Sequence, residues 1–478
     1  MYKPSRREFL EQSMLAATAA LTVGPSFARA AEGSSDPSEI IKVCCIGVRG
    51  RGDGHVSEYL ARKDCEITAV VDVDDGVAEK SADKIRNKSG RTPKIYKDMR
   101  EAFDDKSINL VSIATPNHWH ALAAIWAIQA GKDVYVEKPV SHNVSEGRRI
   151  VEAARKHKKI VQTGTQCRSS KATRDAIAYI QAGEIGEVKL ARGLCYKPRG
   201  SIGPKGNYEI PANVDYDLWC GPAPVKPLTR KNLHYDWHWI WDTGNGDLGN
   251  QGIHQMDVAR WGLGVEGLGD SVQSYGGRLG YIDAGETANS QVSVHKFGDK
   301  TLIFETRGLK TDDLRGARVG NIFYGSKGYV VMSGYDKGAA FDLDGKMVKE
   351  FKGSGDHFGN CIEAVRSRKH TDLHADIEEG HRSSALCHLG NISYLLGEQM
   401  TVKEAGSSIK GKDELESYET FGKYLTGNGL ALDSTKIGFG PVLTLKGEEF
   451  EGTKAKEANP MLTREYRKPF VVPKSEDV

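Results

Sequence analysis

Surplus charge is nearly absent from this chain. Its 66 Lys and Arg stand against 64 Asp and Glu, a formal net charge of +2, which argues against a nucleic-acid partner, since such binders need a basic face. Beyond the N-terminal stretch no apolar run reaches about 18 residues, so no further membrane span is expected. No CxxC pair occurs among the eight cysteines. Cys44 and Cys45 fall in an apolar strand pattern, Cys387 in a helical one, and Cys65, Cys167, Cys195, Cys220 and Cys361 are scattered, so no disulfide framework is expected. There is no internal repeat. The apolar fraction of 39% and charged fraction of 27% suit an ordinary globule long enough for two domains.

What is present begins with Ser5-Arg6-Arg7-Glu8-Phe9-Leu10. A short apolar stretch follows from about Met14 to Val23, and Ala28-Arg29-Ala30 offers a small-residue cleavage site. That order reads as a twin-arginine export signal over residues 1–30, followed by a polar linker over 31–38. The expected partner is the twin-arginine export machinery and the expected location periplasmic. Lys3, Arg6, Arg7 and Arg29 against Glu8 and Glu11 carry the net charge, leaving the rest formally neutral. The route carries proteins already folded, often around a cofactor. A chain folded in the reducing cytoplasm needs no disulfides.

From residue 39 strands and helices alternate. Apolar strands are expected at Ile41 to Gly47, Glu66 to Asp72, Leu110 to Thr115, Asp133 to Glu137 and Ile160 to Gly164, with helices between them. This predicts a parallel sheet with right-handed crossovers over residues 39–165. Past residue 185 the texture changes to longer strands with interleaved polar residues, among them Glu187 to Tyr196 and Ser290 to Thr306. A second α+β domain is expected over 166–424, with an open-faced, mostly antiparallel sheet. Residues 425–478, with little periodicity, read as an arm over the surface.

The first strand ends in Gly47-Val48-Arg49-Gly50-Arg51-Gly52. A dinucleotide fingerprint wants glycine where Arg49 stands; Gly50 follows one place later, with guanidinium groups beside it for phosphates. Asp72, ending the next strand, sits close to the usual place of the acid that binds a ribose 2′-hydroxyl. An acid there repels a 2′-phosphate and favours NAD over NADP. Two further strand ends carry Thr115-Pro116-Asn117-His118-Trp119-His120 and Glu137-Lys138-Pro139. Ligands of open α/β sheets bind beyond the carboxyl ends of strands, where Lys138 can polarise an oxygen and relay its proton.

In that order and spacing the three segments resemble the Gfo/Idh/MocA family. The resemblance implies a Rossmann domain followed by an open-faced sheet domain, a nicotinamide cofactor and sugar- or polyol-like substrates. It puts Gly47, Arg49, Gly50, Arg51, Gly52, Asp72, Thr115, Pro116, Asn117, His120, Glu137, Lys138 and Gln166 at the cofactor. The family's second catalytic pair, Asp-x-x-x-His, reads here Asn250-Gln251-Gly252-Ile253-His254. Spacing of i,i+4 puts Asn250 and His254 on one helix face. His254 keeps the general-base position, while Asn250 replaces the acid and orients substrate without taking its proton. A homo-oligomer is implied by the same analogy.

Upstream, His234-Tyr235-Asp236-Trp237-His238-Trp239 admits two readings, core packing or stacking platforms for a sugar ring. His234, His238 and His254 match no strong ligand spacing, so no metal is expected. Arg168, Tyr196, Lys197, Trp237, His238, Trp239 and His381 complete the candidate substrate contacts. The expected activity is hydride transfer at a secondary alcohol of a carbohydrate, with tightly bound NAD recycled in place because an exported enzyme meets no NAD pool. The alternative is glycoside cleavage by oxidation, elimination, hydration and reduction. The signal, the Gly-Arg-Gly turn and Tyr196-Lys197-Pro198-Arg199-Gly200 are similar to those of exported NAD-dependent α-N-acetylgalactosaminidases. A third reading is a sugar-binding protein with a vestigial nucleotide site.

Overall fold

A computed structural model describes residues 39–478; the export signal and linker expected over residues 1–38 lie outside the described residues. Six parallel strands form the first sheet: β1 (Ile41–Ile46), β2 (Cys65–Val71), β3 (Lys94–Tyr96), β4 (Leu110–Ile113), β5 (Asp133–Val136) and β6 (Val161–Thr163). Their order is β3-β2-β1-β4-β5-β6, so the chain reverses direction across the sheet between β1 and β4 and opens a crevice there. β1, Ile-Lys-Val-Cys-Cys-Ile, is buried at every residue but Lys42, as a strand covered by helices on both faces must be. The helix Asn117–Gln129 is apolar almost all round and buried at nearly every residue, because it lies between the sheet and the C-terminal segment. Phe470, Val472 and Val478 of that segment join the same core as Trp119 and Ile125.

Twelve strands make the second sheet: β7 (Val188–Cys195), β8 (Ser271–Gly277), β9 (Ser290–Phe297), β10 (Lys300–Arg307), β11 (Val319–Gly325), β12 (Gly328–Met332), β13 (Lys337–Asp342), β14 (Met347–Lys352), β15 (Glu398–Thr401), β16 (Lys436–Phe439), β17 (Leu443–Lys446) and β18 (Glu449–Glu451). All pairs are antiparallel except β7 with β10. The helix Ile253–Leu263 shares one core with β7, β10 and β11 through Met256, Ala259, Phe304 and Phe323.

Two expectations are corrected. The stretch Ser290 to Thr306 is a hairpin, turned at Gly298 with φ +58°, a conformation that glycine adopts without strain. Residues 425–478 are more than an arm: β16 pairs with β8 and β15, and β17 pairs with β8. On one face of the second sheet Tyr418, Phe421 and Leu425 pack onto Leu190, Tyr275, Val292 and Ile303. The edge strand β14 stays exposed at all but one residue. All eight cysteines are free and buried, as their scatter implied. No helix among the described residues is long and apolar enough to cross a membrane.

Candidate active site

A cavity of about 520 Å³ opens beyond the carboxyl ends of β1, β2, β4 and β5, walled on its other side by residues 234–254 and Tyr335. Its first wall is the glycine turn. Gly47 has φ +73°, and a Cβ there would meet the Ala114 carbonyl carbon at 2.9 Å. A Cβ on Gly52 would lie 1.7 Å from the Gly47 oxygen, so the helix Arg51–Leu60 starts tightly against β1. Gly50, at φ +56°, has nothing within 4 Å of a would-be Cβ, and no side chain caps that helix. The Gly52 amide turns back to the Arg49 carbonyl at 3.0 Å; a helix start with no side-chain cap beside open space is what a phosphate needs. Asp72 accepts from the amides of Val48 (2.9 Å) and Asp74 (3.0 Å), which fixes the turn against β2. Burial pushes its carboxyl up to about 6, against the pull of those amides.

β5 delivers the second wall. The Glu137 carboxylate is buried and receives Arg51 Nε at 2.7 Å and His55 Nε2 at 3.1 Å. Burial opposes its charge, but the Arg51 guanidinium and His55 hold it well below the usual carboxylate range. Gly164 makes room for it: a Cβ there would stand 2.8 Å from the carboxylate. The next residue, Lys138, donates from Nζ to the Asn250 main-chain oxygen at 2.7 Å. Burial lowers its pKa, so the amine gives up its proton more readily than a surface lysine. The Lys138–Pro139 peptide is cis. His120 is clamped between the carbonyls of Pro139 (2.6 Å) and Thr115 (2.7 Å), and Asn117 Nδ2 donates to Asn245 Oδ1 at 3.1 Å.

The third wall is a π-helical turn, Leu248–Gly252, running into Ile253–Leu263. Such turns occur often at functional sites. Asn250 and His254 both line the cavity. Burial holds the His254 imidazole neutral, well below its ordinary range, and neighbouring Lys138 pushes the same way. Its Nδ1 has no partner, and neither do Thr115 Oγ1 and Gln166 Oε1. Buried polar atoms are rarely left unpaired, so three such atoms in one cavity wall fit a polar ligand. Together with the glycine cradle these residues fit a dinucleotide.

Of the expected residues, Gly47, Arg49, Gly50, Arg51, Asp72, Thr115, Pro116, Asn117, His120, Glu137, Lys138, Gln166, Lys197, Trp237, His238, Asn250 and His254 line this cavity. Gly52 lies beneath the turn. The Trp237 and His238 rings stack at 3.6 Å between centroids, so Trp237 partners a histidine as well as facing the space. Four residues are placed elsewhere. Arg168 is buried against Asp257 (2.8 Å) and Glu379 (2.9 Å), where two acids hold its charge. Tyr196 donates to Glu305 at 2.5 Å inside the second sheet. Trp239 packs under the Arg199 guanidinium, 5.0 Å from the ring centre. His381 faces the Val144–Lys156 helix and meets Glu448 at 2.9 Å.

Sequence reading missed Tyr335 and Gln251, which bond each other at 2.6 Å in the cavity wall. Tyr335 comes from the loop after β12 and carries no motif. It also missed Asp247, one turn before Asn250, whose carboxylate takes Arg199 at 2.7 Å and the Asn250 amide at 3.4 Å. The signal was there: an acid three residues upstream of the position that lost one.

Residues 41–165 match the Gfo/Idh/MocA family model described as an oxidoreductase family, NAD-binding Rossmann fold, and residues 202–294 match its C-terminal alpha/beta domain. Glycosyl hydrolase family 109 protein 1 of Shewanella sp. strain MR-4 is 31% identical over 125 residues, 25% of this chain and 27% of the relative. An alpha-N-acetylgalactosaminidase of Shewanella oneidensis is 30% identical over 125 residues, with the same coverage. The matched stretch is thus about a quarter of those relatives' length. The WlbA dehydrogenase of Chromobacterium violaceum, solved with NADH and UDP-GlcNAcA, superposes with a TM-score of 0.57 at 18% identity, covering 75% of this chain and 95% of that one. An NAD binding oxidoreductase from Klebsiella pneumoniae gives 0.56 at 20% identity, covering 73% and 96%. These likenesses fix the fold.

Proposed function

The chain carries both domains of the Gfo/Idh/MocA oxidoreductase family, and from that premise we propose an NAD-dependent enzyme acting on a secondary alcohol of a sugar, polyol or glycoside. One observation carries the reading: Lys138 from β5 and His254 from the second domain line a single cavity with the Gly47–Gly50 turn and Asp72. The turn and the first-turn amides hold the pyrophosphate, and Asp72 holds the adenosine ribose. Bound NAD supplies a hydride acceptor and donor. Lys138 Nζ steadies negative charge growing on the substrate oxygen, and neutral His254 takes the hydroxyl proton. Asn250 and Asn117 orient.

An export signal in residues 1–30 would take the folded protein away from the cytoplasmic NAD pool. On this reading the cofactor is tightly bound and regenerated where it sits.

A second reading, glycoside cleavage with no net redox change, is favoured by a specific feature of the cavity. Hydrolysis by direct displacement uses two carboxyl groups flanking the bond. The acids lining this cavity are Asp72 and Glu137; the first is bonded to the glycine turn and the second to Arg51 and His55. Cleavage here would instead follow oxidation of a ring hydroxyl. His254 and Lys138 would then move the protons: off the acidified neighbouring carbon, onto the leaving oxygen, and from the water that adds. The glycosyl hydrolase names among the relatives support the same reading.

Two measurements test these readings. Nucleotide released from the pure, folded protein is identified by mass, and neither NAD nor NADP would sink the tight-cofactor claim. Glycosides and free sugars are then screened in deuterated water. Deuterium at C2 of the product marks elimination, and its absence with turnover marks simple dehydrogenation. No nucleotide binding, even on addition, would favour a non-catalytic sugar-binding protein.

A further inference from the structure

A second cavity, of about 730 Å³, lies between the start of the Val144–Lys156 helix, the last turns of the Ile377–Leu395 helix and residues 461–467. None of the reacting groups above lines it. Its apolar lining is Val225, Trp241, Ile392, Leu395 and Met461. Its polar lining includes Arg464, His142, His388 and Asn391.

Half-buried Arg464 differs from four other half-buried or buried arginines. Arg148, Arg168, Arg199 and Arg467 each hold a carboxylate. Arg464 donates only to the Asp242 carbonyl (3.0 Å) and meets His142 Nδ1 (3.1 Å); among the described residues no carboxylate lies within ion-pair distance of it. Of the acids at the cavity, Asp242 is paired with Lys226 at 2.6 Å and Glu465 is exposed. Buried Glu146 bonds the His142 amide and Asn143, and the Arg464 charge draws its carboxyl down from beyond ion-pair contact, against the larger effect of burial. A second signal points the same way. His142 Nε2 and His388 Nδ1, both in this wall, are buried without a partner, and Asn391 spends its amide N–H on the Asn245 carbonyl (3.0 Å), which leaves its oxygen for a hydroxyl. Unpaired imidazole nitrogens beside a guanidinium with no carboxylate in contact ask for a ligand with a carboxylate and several hydroxyls. The apolar side with Trp241 suits the C–H face of a ring.

We propose that this second cavity binds a small hydroxylated carboxylate, of the type of a uronic acid, with Arg464 taking the carboxylate. The site stands apart from the hydride chemistry proposed above and does not depend on it.

The test is calorimetric titration of the full protein, saturated with NAD, with D-glucuronate and with D-glucose. Glucuronate is expected to saturate with a Kd of roughly millimolar or tighter, and glucose at least about tenfold more weakly, the scale of one charge-assisted hydrogen bond. Arg464→Gln should weaken glucuronate at least about tenfold while leaving glucose unchanged. Because Arg464 also ties two segments together, Val225→Glu is the second variant: half of Val225 is exposed (50%), so the fold tolerates the change while the added acid repels the ligand. Lys138→Ala should leave glucuronate binding intact. Equal binding of the two sugars, no saturation, indifference to both variants, or loss of binding in Lys138→Ala would each overturn the proposal, the last by moving the ligand into the first cavity.

Discussion

Lys138 Nζ and the Asn250 main-chain oxygen meet at 2.7 Å, and this bond ties the end of β5 to the π-helical turn of the second domain. It aims the amine across the cavity towards the helix that carries His254. Replacing Lys138 removes the group that steadies the substrate oxygen, so Lys138→Ala should lower turnover at least about a hundredfold, the usual scale for a positioned acid or base. His254→Ala should do the same. Bound nucleotide should persist in both, since the glycine turn and Asp72 are untouched. Steady-state rates beside nucleotide content would show it; near-normal turnover in either variant removes that residue's assigned role.

Asn250 stands where the family pattern has an acid, and restoring that acid should do harm. Its amide already lies 3.4 Å from the Asp247 carboxylate, which is buried and shared with Arg199. In Asn250→Asp two carboxylates would compete for one guanidinium, raising the new acid's folded pKa above its unfolded value. Such a group destabilises above the folded pKa, and the penalty vanishes below the unfolded one, near pH 4. About 1–2 kcal/mol of lost stability at pH 7.5 is expected, shrinking towards pH 5. A thermal midpoint equal to or above that of the unchanged protein at pH 7.5 would count against this account.

Much of this was legible because it rests on local chemistry. The apolar runs of β1, β4 and β5 could only be buried parallel strands, and the Gly47–Gly52 turn needs glycines for reasons seen in the structure. Lys138 and His254, far apart in sequence, were linked by a motif order. Residues held by long-range pairing were not legible. Arg168 looks like a crevice residue until Asp257 and Glu379, on two other helices, claim it. The same holds for Tyr196, whose partner Glu305 sits two strand registers away on β10. β16 and β17 were missed because four-residue strands carry too little alternation to stand out from a loop.

Asp72 both fixes the glycine turn and sets cofactor choice. Asp72→Ala would free the Val48 and Asp74 amides and remove the charge that repels a 2′-phosphate. NAD affinity should fall by about tenfold or more, the scale of one charged hydrogen bond, and NADP should lose less, so the NAD/NADP preference narrows. Titrating both nucleotides into stripped protein measures this. An unchanged preference would mean that discrimination lies with other residues near the adenosine, such as Arg49 or Lys97.

Stability should fall steeply as pH drops below about 6.5. Burial holds His118, His238, His295 and His388 down to about 3 and His357 to about 4. Unfolded histidine titrates near 6.5, so between pH 6.5 and 4 the unfolded chain binds five protons that the folded protein does not. Three carboxyls oppose them: Asp72 and Glu146, raised to about 6 by burial, and Asp236, raised by the same cause, take up protons in the folded state before their unfolded values near 4. Burial also lowers His55, His120, His142 and His254, so the histidines outnumber the opposing carboxyls, the unfolded state binds more protons, and stability rises with pH across this window. Each proton bound only by the unfolded chain adds about 1.4 kcal/mol per pH unit to the slope. Thermal midpoints at constant ionic strength from pH 8 to 4.5 should be flat above 7 and then drop. A midpoint that holds or climbs as pH falls from 6.5 to 5 would show that these imidazoles reach solvent protons in the folded protein.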